Sequence, residues 1–176
     1  MMKNLLVTGA PAAGKTTLVR RAVRGLPGVV GFYTQEIRDQ GERTGFELVG
    51  FDGRRALFAH VHSISHHRVG RYGVDLQAFE AFLETTPFDR PEAGLVVIDE
   101  IGRMECLSEH FRELVTDLLD GPMPVVATAA LRGDPFVEEV KARPDMEIFV
   151  VTRENRDALL PQVRRSVTVL LEGQMP

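Results

Sequence analysis

The stretch GAPAAGKTT, residues 9–17, follows directly on the apolar run Leu5-Leu6-Val7. Gly9, Gly14, Lys15 and Thr16 fit the spacing G-x-x-x-x-G-K-[ST], and each position has a chemical reason. Glycines permit a tight loop whose amide hydrogens turn inward on phosphate oxygens. A helix beginning at Lys15 adds its free N-terminal amides and the positive end of its dipole to the same anion. Lys15 is expected to reach the β and γ phosphates as a point charge, and Thr16 to coordinate Mg²⁺ through its hydroxyl. Ala10, Pro11, Ala12, Ala13 and Thr17 complete the cradle. The bland alternative is a small-residue turn that caps a helix. A strand before the motif and a helix after it favour the phosphate reading.

A cradle does not say what becomes of the γ phosphate. The run Leu95-Val96-Val97-Ile98 ends in Asp99-Glu100. A continuous apolar run reads as a strand buried on both faces, and open α/β sheets bind ligands at the carboxyl ends of their strands. Asp99 is placed to hold Mg²⁺, through a bound water. Glu100, one residue beyond, can face an attacking water and orient it in line with the γ phosphate. The alternative is a solvated strand end. Charge on the transferring phosphoryl group calls for a further cation, and Arg38, Arg71, Arg103, Arg132 and Arg156 are the candidates. Arg103 lies four residues beyond Asp99.

Working outward, residues 4–8 read as a buried strand and 15–24 as a helix that ends at Leu26-Pro27-Gly28. Strand-like runs follow at 29–37, 46–51 and 55–61. Asp52-Gly53 is a hairpin signal between the last two, so 29–61 reads as an antiparallel meander rather than a βαβ unit. Residues 62–74 read as a loop. Asp75 is expected to cap a helix through Leu83, and Ser108 another to Leu119. Strands are expected at 124–130 and, buried, at 148–151. Helices are expected at 135–143 and from Asn155 to about Leu171, with Pro161 as a break or restart. Strands alternating with helices give an open α/β sheet with the meander inserted early, in one domain spanning 1–176.

The 176 residues carry 21 Lys and Arg against 25 Asp and Glu, a net charge of −4. That balance gives no electrostatic reason to coat nucleic acid or an anionic membrane, although Arg20, Arg21 and Arg24 cluster locally. One cysteine, Cys106, excludes an intrachain disulfide, and the cytosol is the default compartment. No apolar segment approaches the ~18 residues of a membrane span, and the N-terminal apolar run is too short for a signal peptide.

The motifs together resemble a known family, the small thermostable-type nucleoside triphosphatases that include the cancer-related nucleoside triphosphatase of humans. Beyond the cradle, the resemblance runs through Gly31-Phe32-Tyr33-Thr34-Gln35-Glu36-Ile37-Arg38, Arg43-Thr44-Gly45-Phe46 and Val69-Gly70-Arg71-Tyr72-Gly73-Val74-Asp75. It continues through Val97-Ile98-Asp99-Glu100-Ile101-Gly102-Arg103-Met104-Glu105 and Asn155-Arg156-Asp157. These blocks span nearly the whole chain. The resemblance implies a RecA-like P-loop fold with an added antiparallel section. It also implies a monomer that hydrolyses several nucleoside triphosphates to diphosphates with Mg²⁺, slow turnover and loose base choice. Ile98, Ile101, Gly102 and Arg103 around the acidic pair join the expected nucleotide site. So do Asn155 and Arg156, at the start of a helix after a strand, where the alternatives are a helix cap and a surface arginine. Two positions depart from the family pattern. Ala12 stands where a glycine is usual, which disfavours positive φ. Arg103 stands where a lysine is usual, which keeps the charge and changes the donor geometry.

Other candidates weigh less. His60, His62, His66 and His67 lack the cysteine or acidic partners of a zinc signature. Cys106 shows no adjacent base to make it a nucleophile. Tyr33 and Tyr72 are candidates for stacking on a base, or for core or rim. There is no Asn-Lys-x-Asp motif of a guanine-reading switch protein. The rivals to a triphosphatase are a P-loop kinase, whose acceptor site the sequence does not reveal, and a nucleotide-gated binding module.

Overall fold

A computed structural model describes residues 2–173; Met1 and residues 174–176, at the ends of the expected 1–176 domain, lie outside it. The chain runs β1 (Asn4–Gly9), α1 (Lys15–Ala22), β2 (Val29–Asp39), β3 (Glu42–Gly50), β4 (Arg55–His60), β5 (Arg68–Val69), β6 (Tyr72–Val74) and α2 (Leu76–Glu84). It continues with β7 (Leu95–Ile101), a 3₁₀ turn (Glu105–Leu107), α3 (Glu109–Asp120), β8 (Val125–Ala130), α4 (Pro135–Lys141), β9 (Met146–Val151) and α5 (Arg156–Glu172).

The strands form one sheet in the order β5-β6-β4-β3-β2-β7-β8-β1-β9. From β2 to β9 the neighbours are parallel; from β2 outward to β5 they are antiparallel. This is the expected P-loop α/β sheet with an antiparallel extension. The extension is longer than the expected 29–61, because residues read as loop supply β5 and β6. Two- and three-residue strands are too short for alternation to register in sequence.

The period-2 geometry of the strands sorts their apolar runs onto two faces. Leu6, Val96 and Ile98 join Phe32, Phe79 and Phe111 in one core beneath α2, α3 and α4. Leu5, Val7, Leu95 and Val97 join Leu18, Val19, Val163 and Val167 in another beneath α1 and α5. Helices on both faces are the reason these strands read as unbroken apolar runs. β9 differs from expectation. It pairs only with β1 and ends the sheet, leaving Ile148 and Val150 on an exposed face (41% and 50%) rather than buried. Pro161 neither breaks nor restarts α5, which is continuous across it.

Asp75, Ser108 and Asp134 cap α2, α3 and α4, each accepting from a backbone amide three residues on. α1 has no side-chain cap; its N-cap is Gly14 at φ 101°. The first core is anchored by aromatic rings, with Phe79 at 4.8 Å from Phe58 and 5.3 Å from Phe111 between centroids. Phe79→Ala is expected to cost about 3–5 kcal/mol, read as a lower urea midpoint with an unchanged m-value.

Candidate active site

The loop between β1 and α1 takes the conformation the cradle needs. Gly14 lies in the left-handed region, and so does Ala12 at φ 60°. At Ala12 the Cβ makes that conformation cost about 1–2 kcal/mol. Without a capping side chain, the first amides of α1 are left for an outside acceptor, the arrangement that makes a helix start an anion site. Lys15 is nearly buried. Its Nζ donates to the carbonyls of Gly9 (3.2 Å) and Ala10 (3.4 Å) and lies 3.5 Å from Glu100 Oε2. Ala13 packs into the core beneath the loop, and its amide donates to the Ala10 carbonyl at 3.2 Å, which closes the turn. Ala10, Pro11 and Thr17 are exposed on the rim.

The acidic pair stands opposite, at the end of β7. Thr16 Oγ1 donates to Asp99 Oδ1 at 3.0 Å, and Thr128 Oγ1 from β8 donates to the same oxygen. Asp99 is 1% exposed, and its Oδ2 has no hydrogen-bond partner among the described residues. Burial pushes its carboxyl pKa up, opposed by the donors Thr128 and Thr16 and by the charge of Lys15. A buried carboxylate oxygen without a donor is costly and is a natural ligand for a hard divalent cation. The residues therefore fit Mg²⁺, with Asp99 and the Thr16 hydroxyl as the side chains that would hold it. Among the described residues no group of three or more His, Cys, Asp and Glu side chains is arranged to hold a metal ion by itself. That suits an ion that keeps its waters and takes phosphate oxygens.

Glu100 is partly exposed beside this carboxylate. Burial raises its pKa, the ammonium of Lys15 pulls it back, and the charge of Asp99 raises it further. A carboxylate so placed gains basicity, which suits it to polarise a water.

The neighbouring residues divide differently from expectation. Ile98 and Ile101 are 1% and 0% exposed in the core, so they hold β7 in place from below rather than facing a ligand. Arg103 is exposed and makes no side-chain hydrogen bond or ion pair among the described residues. Asn155 does not cap α5. Its Oδ1 accepts from Thr152 N (2.8 Å) and its Nδ2 donates to Val150 O (3.0 Å), which staples its own loop. Arg156 is brought to the cradle: its Cδ lies 3.3 Å, and its Nη1 3.5 Å, from where a Cβ on Gly14 would stand. Of the other candidate arginines, Arg38 is paired with Glu36, and Arg71 donates to Tyr72 and to the Arg43 carbonyl. Arg132 is exposed just beyond β8. Tyr72 is core rather than a stacking platform, and Tyr33 lies under the Arg20 guanidinium.

Two residues of the site escaped the sequence reading. Thr128 touches Asp99 only because β7 and β8 are neighbours, with Ile98 opposite Ala127; no spacing signals it. Glu105 stands in the 3₁₀ turn at 6% exposure. A Cβ on Gly102 would come 2.9 Å from Glu105 Oε2 and 3.0 Å from Glu100 Oε1, so glycine leaves both carboxyl ends room where they lie. Burial first, and then the charge of Glu100, hold the Glu105 pKa well above the usual carboxylate range. Its acidic character after the Asp-Glu-Ile-Gly run was the one available signal.

Known proteins resemble this chain over most of its length. The NTPase family profile matches residues 4–164. The chain belongs to the NTPase family, a family of nucleoside triphosphatases. It is 42% identical to the nucleoside-triphosphatase THEP1 of Thermotoga sp. (strain RQ2), over 90% of this chain and 92% of that one. It is 37% identical to the human cancer-related nucleoside-triphosphatase, over 93% and 95%. The crystal structure of THEP1 from Aquifex aeolicus superposes with a TM-score of 0.77 at 36% identity, covering 91% of this chain and 96% of that one. The solution structure of the human protein gives 0.79 at 36%, covering 95% and 98%. No helix among the described residues is long and apolar enough to cross a membrane.

Because the Glu105 pKa is raised well above the usual carboxylate range in the fold, its ionisation opposes folding. The stability it allows is full below the unfolded carboxylate range and is lost as pH rises through its raised folded pKa. Glu105→Gln removes that loss. The melting temperature of the variant is expected to match the parent at acid pH and to exceed it progressively as pH rises, which thermal melts across pH would show.

Proposed function

We propose that this protein hydrolyses nucleoside triphosphates to diphosphate and phosphate in a Mg²⁺-dependent reaction at the 9–17 loop. The observation that carries the reading is the Thr16–Asp99 hydrogen bond of 3.0 Å, which brings the phosphate cradle and the acidic strand tip into one site. The loop amides and Lys15 bind and orient the β and γ phosphates. Thr16 and Asp99 would hold Mg²⁺, which when bound supplies charge neutralisation across the phosphate oxygens. Glu100 accepts a proton from the attacking water as its oxygen bonds to the γ phosphorus and the bridging oxygen leaves with the diphosphate. Arg156, against Gly14, supplies further positive charge to the phosphates.

We take base choice to be loose; the Asn155 amide, engaged within its own loop, supports that reading. We take the enzyme to be a single-domain, monomeric, cytoplasmic protein that uses neither membrane nor nucleic acid as a partner.

Phosphate release from ATP, GTP, CTP and UTP, with and without Mg²⁺, tests the reading, with water as the only acceptor. Comparable release from all four that requires Mg²⁺ is expected; label from the γ phosphate appearing on an added acceptor would instead indicate a kinase. Glu100→Gln is expected to retain triphosphate binding and to lose about 10²–10⁴-fold in kcat. Turnover equal to the parent would remove Glu100 as the base. Lys15→Ala is expected to weaken binding and turnover together. Arg156→Ala is expected to lower kcat/KM by about tenfold or more, the scale of one charge-assisted contact.

A further inference from the structure

Beside α1, on the face away from α2 and α3, lies a groove of about 800 Å³ that the hydrolytic reading does not use. Its walls are the exposed stripe of α1 on one side and β2 with the β3–β4 hairpin on the other. Arg20 and Arg21 project from the helix and Arg24 from the turn just after it; Arg55 and Arg90 line the groove from the sheet side and the connector before β7. Among the described residues no aspartate or glutamate lines it. In a chain with 25 acidic and 21 basic residues, five cations and no carboxylate around one cavity invert the overall charge balance.

Two of the five are spent elsewhere: Arg21 pairs with Asp157 and Arg55 with Glu47. Arg20, Arg24 and Arg90 have no carboxylate partner among the described residues. The hairpin's own acid, Asp52, is turned to Arg54 at 2.6 Å and does not neutralise them. The Arg20 guanidinium is held 3.9 Å above the Tyr33 ring, which packs edge-on against Phe51 at 5.8 Å. A stacked guanidinium loses little further freedom when it binds, and its planar fork matches a phosphate.

We propose that this groove binds a second ligand, a small organic molecule carrying two or more phosphate groups, held by Arg20, Arg24 and Arg90. The volume is that of a small-molecule site, and the net charge of −4 opposes a nucleic-acid track. The ligand is separate from the triphosphate in the loop. Thr17, in the first turn of α1, lines the upper end of the groove. The two ligands therefore share one eight-residue helix, one at its N-terminus and one along its flank.

The test is calorimetric titration of the full chain after saturation with Mg²⁺ and a non-hydrolysable triphosphate analogue, which occupies the loop. Fructose 1,6-bisphosphate and inorganic tripolyphosphate are the probes, with Mg²⁺ in excess. A further saturable binding event with at least one of them is expected. It should weaken about tenfold or more in the double variant Arg20→Gln, Arg24→Gln and independently in Arg90→Gln, the loss expected for charge-assisted contacts. Analogue affinity in these variants should stay at the parent value, which also verifies their folding. The proposal is overturned if neither probe binds, if binding only displaces the analogue, or if the variants leave it unchanged. It is equally overturned if a single-stranded oligonucleotide binds with affinity that grows with length while both small phosphates fail. None of these failures touches the loop chemistry, which Glu100→Gln tests separately.

Discussion

One hydrogen bond, from the Thr16 hydroxyl to the Asp99 carboxylate, joins segments 83 residues apart in sequence. Asp99 is fully buried, its second oxygen has no donor among the described residues, and burial pushes its pKa up. Two hydroxyl donors and a nearby ammonium oppose that shift, Lys15 and Thr16 from the head of α1 and Thr128 from β8. That convergence requires β1, β8 and β7 to lie side by side with their carboxyl ends level. The parallel core of the sheet provides this, and the site is poorly formed in any other strand order.

The same constraint explains the contrast among the helix starts. Three helices spend a side chain to satisfy their first amides; α5 does not, nor, at the cradle, does α1. A capping aspartate at its head would fill the position an anion takes and set a negative charge against phosphate. The cost is a loop with two left-handed residues, one of them Ala12. It is tolerated because Ala13, Leu18 and Val19 hold the loop and helix to the core beneath. Stability and function are therefore supplied from opposite sides of one short segment.

Carboxylates accumulate on the other side of the cleft. Asp99, Glu100 and Glu105 lie within seven residues, and burial raises the pKa of all three. Lys15 is the cation that faces Glu100 at 3.5 Å. Such a cluster is unfavourable to the fold on its own and becomes useful once cationic ligands and a water share it. Gly102 leaves room for the carboxyl ends of Glu100 and Glu105, which a Cβ there would push aside.

The cradle, the acidic strand tip and the parallel core were legible in the sequence because each is a local pattern: glycine spacing, an unbroken apolar run, an acid at its end. The antiparallel extension was legible as far as His60 for the same reason, through the Asp52-Gly53 turn. What lay beyond needed the fold. β5 and β6 are shorter than any periodicity can reveal. β9 looks like an interior strand in sequence and is an edge, because apolar content does not say how many neighbours a strand has. Ile98 and Ile101 fall in the motif yet both face one core, because β7 is irregular between them and simple alternation does not hold there. Thr128 reaches Asp99, and Arg156 reaches Gly14, only through strand and helix placement. The arginines of α1 were visible as a cluster, but that they face a groove without a carboxylate depends on which sheet face the helices leave uncovered. Residue chemistry and spacing are written along the chain; which distant groups share a cavity, and how strongly burial shifts their charges, arises only when the chain closes on itself and removes water from between them.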